Sequence, residues 1–250
     1  MSASGWLRPV AGALDDAPAP VTVFIRDDDG GWDDTRLAAL LDVVAAHGMA
    51  VDVALIPAET TAPLVRDLAL RGRGMRLGLH QHGWSHADHE AGGRRCEFGA
   101  ARPLAALDAD VARGRARLLG MLGDMLDPVF TPPWNRCVPE LAPILVSCGI
   151  RVLSRDLSAG TLDHPGLVEV PVGVDWFGGR RGVRWTPGDL GERIAQAIRS
   201  GDPLGLMLHH AVTDPAELAR IDDLLALLGG HARVTPVSIM DVAGARVTGA

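Results

Sequence analysis

Residues 21–30 read VTVFIRDDDG: a run rich in β-branched side chains, then three consecutive aspartates and a glycine. The apolar run over 21–26, stopped by the polar aspartates, reads as a strand. Its end carries more negative charge than a strand end ordinarily holds. Adjacent carboxylates repel, and three together are costly unless a cation or an arginine compensates them. Arg26 stands directly beside them. Neighbouring strand residues point opposite ways, so one aspartate can ligate an ion while the next acts as a base. Asp33 and Asp34, a little further on, read as caps of the following helix.

Outward from this stretch, strand-like and helical patterns alternate. Residues 35–47 read as a helix with Gly48 past its end, 51–56 as a strand stopped by Pro57, 62–70 as a helix and 75–80 as a strand. An amphipathic helix over 104–122 precedes a short strand at 128–131, a helix at 140–148 and strands at 150–154 and 167–172. A hairpin-like stretch, WFGGRRGVRW at 176–185, leads to a helix at 188–199, a strand at 204–208, a helix at 216–228 and a last strand near 233–237. This alternation predicts a distorted (β/α) barrel of seven or eight parallel strands, with a doubly wound open sheet as the competitor. Polar clusters follow the first, third, fourth and seventh strands, and in a barrel those ends surround one mouth.

A chain of 250 residues that is 47% hydrophobic fits a single domain over 1–250, with 1–20 as an N-terminal extension. A net charge of -7 argues against a nucleic-acid partner. No run is long enough to span a bilayer, and the N-terminus lacks a basic start followed by a sustained apolar stretch, so a cytoplasmic protein without membrane attachment is expected. Three cysteines with no C-x-x-C pair read as free thiols. All 24 basic residues other than histidine are arginines. Without lysine there is no Schiff base, carboxylated-lysine bridge or P-loop. Tyrosine is absent too, which removes phenol acid/base chemistry.

His80, His82, His86 and His89 crowd one segment, and His209 and His210 close the seventh strand. His82 and His86, or His86 and His89, would share a face of one helical turn, whereas His80 and His82 would share a face if extended. Spacing gives three candidate pairs and does not choose between them. Imidazoles with carboxylates are the donor set of a catalytic zinc-like site, which keeps a position free for water or substrate.

These residues carry a family resemblance. The chain resembles the polysaccharide deacetylases, the NodB-homology family of metal-dependent de-N-acetylases. Arg26-Asp27-Asp28-Asp29-Gly30 aligns with the family's Thr-Phe-Asp-Asp-Gly, and His82-Gly83-Trp84-Ser85-His86 with its His-Ser/Thr-x-x-His. Thr131-Pro132-Pro133-Trp134 aligns with Arg-Pro-Pro-aromatic, and Met207-Leu208-His209 with Leu-x-His. The ordered set spans about residues 21–210 and is more specific than any one piece. The resemblance implies a NodB-like barrel, one divalent ion (zinc first, with cobalt, nickel, manganese or iron as alternatives) and a carbohydrate or other small-molecule substrate. It implies Asp29, His82 and His86 as metal ligands, Asp28 as general base, His209 as general acid, and Trp134 with Pro133 at the oxyanion and substrate side. The aspartate pair shifts to Asp27-Asp28 under the other alignment; Gly30 favours the first. The third-motif arginine is Thr131 here, and Arg26 or Arg136 is the candidate to replace it. The fourth motif is weak, with Asp156 or Asp175-Trp176 as candidates.

The expected activity is hydrolysis of an N-acetyl or related amide, from a carbohydrate or amino-sugar-type substrate. The alternatives are a non-catalytic carbohydrate-binding or regulatory protein on the same scaffold, and an amidohydrolase acting on a non-sugar amide through His80 and His82. Tryptophans at strand ends (Trp32, Trp84, Trp134, Trp176 and Trp185) fit a sugar pocket or ordinary packing equally. Arg94-Arg95 and Arg180-Arg181 read as solvated loop charges.

Overall fold

The computed structural model describes residues 5–178 and 183–248. Its centre is β1 (Val21–Gly30), which pairs in parallel with β2 (Ala50–Leu55) on one side and β8 (Leu204–Leu208) on the other. From β2 the sheet continues through β3 (Arg76–His82), β4 (Leu126–Thr131), β5 (Val152–Leu153) and β6 (Val168–Glu169), and β7 (Val174–Asp175) lies outside β8, all in parallel. A short β9 (Val234–Pro236) pairs with the start of β1.

Of the strand expected over 167–172 only β6 forms as such, and β7 follows beyond it. Pro171 removes a ladder donor and Gly173 offers no side chain to pack. The whole run nevertheless joins the two ends of the sheet. Val168, Val170 and Val172 donate to carbonyls of Arg151, Leu153 and Arg155, while Gly173 and Trp176 donate to Gly205 and Met207. The result is a distorted parallel barrel, as the alternation predicted.

Alternation along β1 sorts the side chains between two cores. Val21, Val23 and Ile25 pack outward with helices α2 (Asp34–Ala46), α6 (Pro187–Arg199) and α7 (Pro215–Gly230). Phe24 points inward, against Val129, Val152, Val172 and Met207. The remaining crossovers are α3 (Ala62–Arg71), α4 (Leu104–Leu122) and α5 (Leu141–Ser147). Two helices were not foreseen. α1 (Arg8–Asp15), in the segment expected as an extension, buries Val10 and Leu14 and packs on α6, where a Cβ added at Gly191 would collide with the Trp6 carbonyl. α8 (Ile239–Thr248) closes the bottom of the barrel. Of the hairpin-like stretch, residues 179–182, including Arg180 and Arg181, lie outside the described residues.

Under α8 sits Asp52 of β2, 1% exposed, accepting the Ile239 N–H at 3.0 Å through one oxygen while the other has no partner. Burial pushes this carboxyl up to about 8; the Ile239 bond opposes the shift, and nearby Asp127 and Asp241 add to it. The folded state therefore holds a proton that the unfolded chain releases above the ordinary value of 3.8. Stability should fall as pH rises from about 4 to about 8 and level off beyond. Asp52→Asn should abolish this component and stabilise the protein at pH 8 by roughly 2–4 kcal/mol. Urea unfolding of both forms across that range is the check; a variant no more stable than wild type at pH 8 would refute the assignment.

Candidate metal and catalytic site

The end of β1 separates its three aspartates. Arg26 and Asp28 share the inward face with Phe24, and Asp27 faces the helices. Asp29 would follow Asp27 outward, but the register against β2 shifts between Asp27 and Gly30, and Asp29 adopts φ 70°. This left-handed turn brings Asp29 back to the mouth; aspartate tolerates that conformation better than most residues. Asp28 and Asp29 thus meet in one space although they are neighbours on a strand.

Each carboxylate has its own partner. Asp27 accepts the His210 backbone N–H at 3.0 Å and faces His210 Nδ1 at 2.5 Å, while His210 Nε2 meets the Trp32 carbonyl at 2.5 Å. With an acceptor at both nitrogens, His210 is placed as an imidazolium. Burial opposes its charge, but Asp27 outweighs burial and raises His210 to about 9. Asp28 is gripped by Arg26 through Nε to Oδ1 at 2.8 Å and Nη2 to Oδ2 at 2.9 Å. Arg26 is itself fully buried and also donates to Ser154 Oγ at 2.9 Å and Asn135 Oδ1 at 2.8 Å. Burial disfavours charge on Asp28, but Arg26 and the nearby histidines more than offset it, so the carboxyl lies below its ordinary range.

Asp29 faces two imidazoles. Its Oδ1 lies 3.3 Å from His82 Nε2 and 3.2 Å from His86 Nε2, and one ligand atom from each residue falls within 4.8 Å of the others. Asp29 Oδ1 is buried yet has no directional hydrogen bond. His82 Nδ1 donates to the Thr131 carbonyl at 3.0 Å, which leaves its Nε2 lone pair aimed at Asp29. One oxygen and two imidazole nitrogens around an orphaned acceptor suit a divalent ion of the zinc type.

No helical turn brings His82 and His86 together. β3 ends at His82, and a loop with φ 58° at Gly83 and φ 55° at His86 returns the second imidazole. His86 is wedged between Trp32, at 4.8 Å between ring centroids, and Trp134, at 4.4 Å. His80 belongs to the support: it is buried, its Nε2 meets Thr131 Oγ1 at 2.9 Å, and burial with Arg26 nearby pushes it down to about 3. His89 is exposed.

His209, after β8, places Nε2 3.9 Å from Asp28 Oδ2, with Phe177 edge-on at 5.8 Å. Asp175 lies within electrostatic reach of His209; burial raises its carboxyl and His209 partly offsets the shift. Asp175 also lines a cavity of about 760 Å³ beside β7 and α6, whose walls include none of Asp28, Asp29, His82, His86 or His209. In the turn after β4, Trp134 and Asn135 take φ 56° and 59°. The Asn135 and Arg136 N–H groups are used by Pro132 and Pro133 carbonyls. Pro133 has no N–H and can only line the site. Arg136 donates to the Arg95 carbonyl at 2.9 Å, so of these two arginines it is Arg26 that grips Asp28. Ser154, Asn135 and Glu97, all in contact with this machinery, went unread in the sequence.

Comparison with known structures bears on the fold. A Mycobacterium smegmatis protein assigned as a polysaccharide deacetylase superposes with a TM-score of 0.71 at 16% identity, over 93% of this chain and 95% of its own. The fold is that of the polysaccharide deacetylases. PuuE allantoinase matches with a TM-score of 0.65 at 12% identity, over 90% and 89% of the two chains. A family 4 carbohydrate esterase from Streptomyces lividans, in complex with acetate, matches at 0.55 and 18%, over 87% and 91%. No family model and no curated protein matches the sequence.

Because Arg26 is what compensates a buried Asp28, Arg26→Met should cost about 3–5 kcal/mol in chemical denaturation. Combining it with Asp28→Asn should cost less than the two single changes added together. Simple additivity in that double-mutant cycle would show that the pair is not coupled.

Proposed function

We propose that this chain is a metal-dependent hydrolase that removes an N-acetyl or related amide-linked group from a carbohydrate or amino-sugar-type substrate, as one catalytic domain. The observation that carries it is the convergence of Asp29, His82 and His86 on one point, with Asp28 and His209 facing each other beside it. A bound divalent ion, zinc first, would polarise the scissile carbonyl and acidify a water.

The chain's own groups then divide the proton work. Asp28, kept ionised by Arg26, takes a proton from the attacking water as its oxygen bonds to the carbonyl carbon. The Arg26 grip makes Asp28 a weaker base but fixes its orientation, and fixed geometry contributes more to the rate than the basicity it loses. The Trp134 N–H would hold the developing oxyanion. His209 gives its proton to the nitrogen as the C–N bond breaks, releasing an amine and, from an N-acetyl group, acetate. Trp134 and Trp32 offer the flat faces on which sugar rings bind.

A non-sugar amide is the second substrate reading. It is favoured by the closer superposition on PuuE allantoinase than on the esterase.

The test is acetate release from a panel of N-acetyl sugars and non-sugar amides by zinc- or cobalt-loaded protein. Asp28→Asn and His209→Ala should each lose about 100-fold or more while retaining fold and metal. Near-normal turnover in both variants would overturn the mechanism. Retained metal with no release from any substrate would favour a binding protein on this scaffold.

A further inference from the structure

We propose that Glu97 is a positioning residue for this centre, fixing His86 through the Trp84-Ser85 turn that precedes it and Trp134 through its own backbone neighbours. The proposal rests on the reading that Asp29, His82 and His86 hold a divalent ion. Once β3 has ended at His82, the chain must bring His86 back to the same point within four residues, and it does so without a helix. Glu97 is 0% exposed, and the loop is built around it. The Trp84 N–H donates to Oε2 at 3.1 Å, the Ser85 N–H to Oε1 at 2.8 Å and the Ser85 hydroxyl to Oε1 at 3.1 Å. Successive N–H groups converging on one carboxylate form an anion nest, so the turn is folded on the side chain and not merely near it. At Gly83, with φ 58°, an added Cβ would collide with Glu97 Oε2 and with the Pro133 ring. Glycine is therefore required there by both conformation and contact.

The residues flanking Glu97 hold the opposite wall. Phe98 bridges Cys137 in parallel, its carbonyl accepts the Val138 N–H at 2.9 Å, and Cys96 Sγ lies 3.4 Å from the Arg136 carbonyl. These contacts anchor the loop that carries Trp134, which presses on His86 from the other side. One three-residue segment, 96–98, thus clamps two strand-end loops, and His86 is held between them. Glu97 touches no proposed reacting atom, so its effect must pass through the placement of His86.

A glutamine at 97 keeps one acceptor but turns an N–H2 toward the backbone or hydroxyl donors, so the nest cannot stay filled. The test is Co²⁺ titration of the full chain, read by calorimetry and by visible absorption, for wild type, Glu97→Gln, Ser85→Ala and His86→Ala. Glu97→Gln should weaken Co²⁺ binding about 10- to 100-fold and alter the spectrum. Ser85→Ala, which removes one hydrogen bond and leaves a milder lesion, should weaken binding roughly fivefold. It carries the test alone if Glu97→Gln does not fold. Wild-type affinity and spectrum in the variants, alongside a loss in His86→Ala, would overturn the role of Glu97 and leave the metal reading standing. If wild type takes up no Co²⁺, or His86→Ala binds as well as wild type, the metal reading falls and the role of Glu97 falls with it.

Discussion

A buried carboxylate is tolerable only when something nearby carries or shares a positive charge, and this protein has to satisfy that condition three times on consecutive residues. It does so by sending the three aspartates in different directions. Asp27 goes outward to His210, Asp28 inward to Arg26, and Asp29 is turned back by a positive φ toward His82 and His86. Each pairing also ties β1 to another part of the barrel: to the chain after β8, to Ser154 and Asn135 beyond β5 and β4, and to the end of β3. The electrostatic solution and the convergence of the strand ends are thus the same set of contacts.

Much of this was legible because it is local. Strand periodicity, Gly48 after α2 and Pro57 after β2 placed β2 and β3 within a residue or two, and Leu104–Leu122 and Leu204–Leu208 were read at their observed bounds, whereas β1 runs four residues past the Arg26 at which its apolar pattern stops. The elements that escaped were weak in local signal. α1 carries Pro9 and Gly12, and α8 carries Gly244 with β-branched neighbours; both are held by packing more than by propensity. One sign of α8 was present, since Ser238 and Asp241 cap each other at its start at the spacing of a capping box.

At the site, residue types were readable and directions were not. Spacing alone offered His82 and His86 as a helical pair, whereas a loop unites them, and no periodicity encodes the φ of Asp29 or His86. Arg26 was visible as a neighbour of the aspartates, but its grip on Asp28 depends on both facing inward. Glu97 could not be recognised by any such rule. It is an isolated acid twelve and thirteen residues from the hydroxyl and N–H groups it gathers, and only the fold brings them together.

The run from Val168 to Trp176 is where the ring is sewn shut. A proline, a glycine and two strands of two residues each make that seam thin, and the connections on either side of β6 contain no covering α-helix among the described residues. Loosening of the barrel should begin along this line, ahead of the long ladders of β1, β2 and β3. Because Asp175 is stitched into it beside His209, breathing of the wall would be felt first on the His209 side of the mouth, while the side formed by Asp29, His82 and His86 stays taut.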